Sequence, residues 1–79
     1  MFTNKTDDGR NNICGTQITK YRKSLGKSQR ELADALQILG LDVDKNAIQR
    51  IESGQRFVTD IEIKAIAKIF GTTVDQLLT

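Results

Sequence analysis

Lys45, Asn46, Gln49, Arg50 and Ser53 lie in one short stretch, Asp44 to Gly54, that reads D-K-N-A-I-Q-R-I-E-S-G. Wound as a helix at about 100° per residue, these five side chains share one arc, and Ala47, Ile48 and Ile51 share the opposite one. The polar arc carries groups suited to base edges in a major groove. Lysine matches guanine acceptors, asparagine and glutamine pair twice with adenine, and arginine meets guanine or a phosphate. The apolar arc suits a core. Glu52 falls at the border, where a carboxylate is tolerated only if it is paired.

Such a helix needs a scaffold, and 79 residues allow one small domain with a single core. The apolar residues are rich in Ile and Leu, aromatics are few and proline is absent, which favours helices over a turn-rich β architecture. Gly26, Gly40, Gly54 and Gly71 each follow an apolar-periodic stretch, where a left-handed helix cap is needed. Start signals answer them: Ser28-x-x-Glu31, Thr59-x-x-Glu62 and Thr73-x-x-Gln76 are capping-box patterns, and Asp44 is a plain N-cap.

These marks predict five helices, at about Asn12 to Leu25, Gln29 to Leu39, Lys45 to Ser53, Asp60 to Phe70 and Val74 to Leu78, with no competing strand alternation. Ile18, Tyr21 and Leu25 in the first, Leu32, Ala33, Leu36 and Leu39 in the second, and Ile63, Ile66, Ala67 and Phe70 in the fourth recur at core spacing. Residues 1–11 read as a polar, weakly ordered arm and 12–79 as the domain.

Composition narrows the function. With no histidine and one cysteine, the chain lacks most routes to a zinc site or a Cys–His pair. No cofactor motif or small-molecule site is evident, so an enzyme is not expected. Cys14 has no disulfide partner in the chain and reads as a buried or half-buried helix thiol. No segment is long enough to span a bilayer and no signal peptide is visible, so a cytoplasmic location is the default. The net charge of +2 says little, but Gly9 to Arg30 contains no acid while holding Arg10, Lys20, Arg22, Lys23, Lys27 and Arg30.

Helices two and three, joined by a short turn, with the second of the pair showing a polar base-reading face, fit the description of a helix-turn-helix. The runs K-S-Q-R-E-L-A-D-A-L, N-A-I-Q-R-I-E-S-G-Q-R-F-V and I-K-A-I-A-K-I-F-G-T-T-V-D-Q-L-L, in that order, resemble the lambda-repressor-like, Cro-type helix-turn-helix family. This group of bacterial and phage regulators is also called the xenobiotic-response-element family. The resemblance covers about Asn12 to Leu78 and implies a compact all-α bundle of five helices.

It also implies a transcriptional regulator that binds double-stranded DNA, a repressor of the phage or mobile-element type. Lys45, Asn46 and Gln49 match the positions that meet bases, with Arg50 beside them. Gln29 matches a phosphate contact at the start of the scaffold helix, and Gln55 and Arg56 match the loop passing the DNA backbone, Arg56 being the stronger candidate. Arg22 and Glu52 match a structural ion pair between helices one and three, in which loss of one partner strands a charge. Phe57 and Val58 read as a hydrophobic anchor for the loop.

One departure stands out. Q-I-L-G-L-D, between Leu36 and Val43, lengthens the usual tight turn by roughly one helical turn. The second helix is expected to run through Leu39 and stop at Gly40, with Leu41 and Val43 returning to the core. Family members usually bind as dimers on paired half-sites. Here Val74, Leu77 and Leu78 forming a weak interface, a chain cut from a longer regulator, and dimers formed only on DNA all remain open. A protein-interaction module, antitoxin-like or adaptor, is the alternative function. The cations and amides retained on helix three favour DNA.

Overall fold

The computed structural model describes residues 5–79, and residues 1–4 of the expected arm lie outside the described residues. Five helices follow one another: α1 (Gly15–Ser24), α2 (Gln29–Ile38), α3 (Lys45–Ser53), α4 (Asp60–Phe70) and α5 (Val74–Leu77). Among the described residues there is no strand, and the architecture is an all-α bundle.

Local chemistry sets the helix ends. Ser28 Oγ accepts from the Glu31 amide at 3.0 Å while Glu31 Oε1 accepts from the Ser28 amide at 2.9 Å, and Thr59 and Glu62 form the same reciprocal box. Asp44 Oδ1 caps α3 through the Ala47 amide at 2.7 Å. The third box is only half made. Thr73 accepts from the Gln76 amide, but Gln76 Oε1 is taken by the Tyr21 hydroxyl at 2.8 Å and by Thr72 Oγ1 at 2.7 Å.

The first four helices stop in one way. Gly26, Gly40, Gly54 and Gly71 have φ between +69° and +89°. The next amide, of Lys27, Leu41, Gln55 or Thr72, bonds back to Arg22, Leu36, Arg50 or Ala67 respectively. This is the closure of a Schellman cap, which a glycine makes without Cβ strain.

Ile18, Leu32, Leu36, Ile48, Ile51, Ile66 and Leu77 are fully buried at the centre, and the rings of Tyr21 and Phe70 stack at 5.8 Å. Three expectations need correction. The chain before Gly15 is not helical: Asn12 Oδ1 accepts from the Gly15 amide at 2.8 Å, so this side chain caps α1 instead of opening it. Leu25 and Leu39, assigned to the core by periodicity, are 49% and 46% exposed. Each lies in the cap that ends its helix, where the chain turns away. On the lengthened turn Val43 is buried and Leu41 packs against the core. Leu77 is fully buried, which removes it from any interface, and Val74 packs partly on the core.

Candidate nucleic-acid interface

Burial of Ile48 and Ile51 pins one face of α3 to the bundle and turns the other outward. Lys45, Asn46, Gln49, Arg50 and Ser53 are all exposed. Among the described residues, the side chains of Lys45, Asn46, Gln49 and Arg50 are engaged in no hydrogen bond or ion pair within the chain. Asn46, Gln49, Arg50 and Ser53 line a shallow polar groove together with Gln55 from the following loop. Donors and acceptors thus stand along one ridge with their hydrogen-bonding capacity directed to solvent.

The end of α3 is held by its one carboxylate. Glu52 Oε2 accepts from Arg22 Nε at 2.7 Å and Oε1 from Arg22 Nη2 at 3.0 Å, a two-pronged pair between α3 and α1 with side chains 8% and 11% exposed. Burial alone raises the Glu52 carboxyl, but hydrogen bonds from Arg22 and Gln29 and the charge of Arg22 outweigh it, leaving it below the ordinary carboxylate range. Arg22 Nη1 also donates to the Lys27 carbonyl at 2.9 Å, tying the α1–α2 turn to the same centre.

The two residues matched to phosphate contacts are both engaged internally. Gln29 Nε2 donates to Glu52 Oε1 at 3.0 Å. Arg56 forms a second two-pronged pair, its Nη1 and Nη2 donating to the two carboxylate oxygens of Glu62 at 2.9 and 2.8 Å, and Nη1 also reaches the Phe57 carbonyl at 3.1 Å. The Arg56 hydrogen bonds hold the Glu62 carboxyl low. Sequence reading gave Glu62 only its capping role, because a pair six residues apart across a helix start lies outside helical spacing. Of the loop anchors, Val58 packs on the core and Phe57 is exposed.

A second group escaped sequence reading. Arg10 Nη2 donates to the Glu52 carbonyl at 2.9 Å and to that of Ile51 at 3.5 Å. The Asn11 amide reaches the Gly54 carbonyl at 2.8 Å and its side chain that of Gln55 at 2.9 Å. Asn12 Nδ2 bridges the carbonyls of Ile51 and Arg56 at 3.0 and 2.8 Å. Five carbonyls at the end of α3 and in its following loop therefore accept from three consecutive residues. Gly15 completes the seam, since a Cβ there would collide with the Ile51 carbonyl. A run of polar residues just before an apolar-periodic stretch was the one available signal, and it identifies a cap without naming its distant partners. Cys14, in the same seam, is buried, and burial pushes its thiol upward in pKa, away from reactivity.

Comparison with known proteins agrees with this geometry. A family model described as "Helix-turn-helix" matches residues 18–77. A crystal structure of a hypothetical transcription factor, NHTF, from Neisseria superposes with a TM-score of 0.74 at 22% identity, covering 100% of this chain and 86% of that one. No curated protein matches the chain. With most of its length matched, α2 and α3 in the expected arrangement and α1, α4 and α5 packed around them, the chain belongs to the lambda-repressor/Cro-like helix-turn-helix family.

Proposed function

We propose that this chain is a sequence-reading domain for double-stranded DNA and acts as a transcriptional regulator. The observation that carries the reading is the exposed row Lys45, Asn46, Gln49 and Arg50, with no partners among the described residues, on a helix whose opposite face is locked into the core. Asn46 and Gln49 offer two-point contacts to adenine, and Lys45 and Arg50 offer donors to guanine or phosphate. The similar Neisseria protein is described as a hypothetical transcription factor, which agrees with this role.

Gln29 and Arg56 supply phosphate contacts through the N–H groups that Glu52 and Glu62 leave free. Occupying a major groove excludes other proteins from the same base pairs, so repression of the phage or mobile-element type is the proposed outcome. Paired half-sites, filled by two copies on DNA, extend the sequence that one short helix can read.

Selection of duplexes from a randomised pool tests the reading, because it reports binding, site and half-site spacing together. Asn46→Ala and Gln49→Ala should each weaken binding to the selected duplex by about 1–3 kcal/mol and leave binding to the unselected pool unchanged. Equal losses on both would remove the base-reading role. Binding insensitive to salt and sequence would assign this face to a protein partner instead.

A further inference from the structure

The segment before α1 takes no part in the interface just described, yet it holds the end of the helix that forms it. We infer that Arg10 is a positioning residue for DNA readout: its guanidinium closes the C-terminus of α3 and so fixes where Arg50, Ser53 and Gln55 stand. The inference rests on the DNA-binding reading above.

The last turn of a helix leaves carbonyls without intrahelical partners. In α3 the Arg50 carbonyl is met by the Gln55 and Arg56 amides and by Ser53 Oγ. The Ile51 carbonyl accepts from the Gly54 amide, and the Glu52 carbonyl is reached by Arg10. A cation at this end also matches the negative pole of the helix.

Arg10 is itself presented rigidly. Its amide donates to Thr6 Oγ1 at 2.9 Å, its carbonyl accepts from the Thr6 amide at 2.8 Å, and Gly9 turns the chain between them at φ +83°. Its side chain lies flat over Gly54, where a Cβ would stand 2.8 Å from Arg10 Cγ. Gly54 thus serves two ends, a left-handed cap and a floor for the guanidinium. The fork geometry suits an arginine, since a lysine is a single point donor.

The experiment compares the full chain with its Arg10→Ala and Arg10→Lys variants by amide exchange and by affinity. The DNA probes are a duplex that the unaltered chain selects from a randomised pool, and that pool unselected. In Arg10→Ala the amides of Gly54, Gln55 and Arg56 should exchange about tenfold faster relative to those of Ile66 and Ala67 in α4, the size expected for one lost charge-assisted bond. The affinity ratio between selected and unselected duplex should fall by about the same factor. A residue with only a structural role would speed all amides alike and leave that ratio intact well below the melting temperature.

Arg10→Lys should restore only part of both effects. Full restoration by lysine, or unchanged relative exchange in Arg10→Ala, overturns the inference. Should Arg10→Ala fail to fold, Arg10→Met removes the guanidinium but keeps an aliphatic chain over Gly54, and unaltered relative exchange at Gly54, Gln55 and Arg56 in that variant overturns it equally. If no duplex is selected at all, the DNA reading falls, while the exchange data still decide whether Arg10 closes the helix.

Discussion

Gln29 Nε2 and Glu52 Oε1 stand 3.0 Å apart, so the first residue of α2 and the last turn of α3 share the carboxylate that also holds Arg22. The two helices of the helix-turn-helix are therefore tied by side-chain chemistry at the end distant from the lengthened turn, in addition to the core packing of Leu32, Leu36, Ile48 and Ile51. Those extra residues lie at the other junction, between Leu36 and Val43, and leave the Glu52 centre intact.

Glu52→Gln should lower unfolding free energy by about 3 kcal/mol, because it leaves the nearly buried Arg22 guanidinium without a counter-charge. Urea denaturation measures this. An unchanged midpoint would place the pair among exposed, weak surface bridges.

Acid should destabilise the protein through the same carboxylates. Glu52 and Glu62 both lie below their ordinary value of 4.5 when folded. The unfolded chain therefore takes up protons first, and the stability they contribute is present above that value and lost as pH falls through their folded range. Melting temperature followed downward from pH 6 should drop through this window, and Glu52→Gln should flatten the slope.

Glu62→Gln should act in opposite directions on stability and on binding. It breaks the Arg56 pair and weakens the Thr59 box, costing about 1–2 kcal/mol. Without the neighbouring carboxylate charge, Arg56 attracts phosphate more strongly, so affinity for random duplex should rise and its salt dependence steepen. Equal affinity before and after would show that Arg56 does not face the DNA backbone.

Gly15→Ala tests the α1–α3 seam. Helix propensity alone favours alanine by about 1 kcal/mol, yet the new methyl would meet the backbone carbonyl of Ile51. Backbone yields less readily than a side chain, and a net destabilisation of about 3 kcal/mol is expected, readable in the melting temperature. Stabilisation would mean that the helices separate without cost.

Much of the fold was legible in the sequence because its marks are local. Ser28, Thr59 and Asp44 cap the helices they precede, and Gly26, Gly40, Gly54 and Gly71 close the helices they follow. Each needs only neighbours within five residues. The exposed row of α3 could be read in the same way, since 3.6-residue periodicity separates it from Ile48 and Ile51.

What escaped depends on partners far apart in the chain. Arg10 and Asn12 meet carbonyls about forty residues away, and a carbonyl carries no residue identity for a pattern to match. Gln76 could complete its box locally but bonds the Tyr21 hydroxyl instead, a choice visible only once α1 and α5 are neighbours. Leu25 and Leu39 keep the periodicity of a core residue after the helix has ended.

The seam between Arg10–Asn12 and the end of α3 also bears on how the protein is made. Segments separated by more than forty residues along the chain complete one hydrogen-bonded unit, and such distant closures form late relative to local helices. During synthesis α1 and α2 can coil as they emerge from the ribosome, but α3 is finished only when Arg56 has followed it out. Its last turn and the segment that secures it then come into register together, so in a partly made chain the end of α3 stays open.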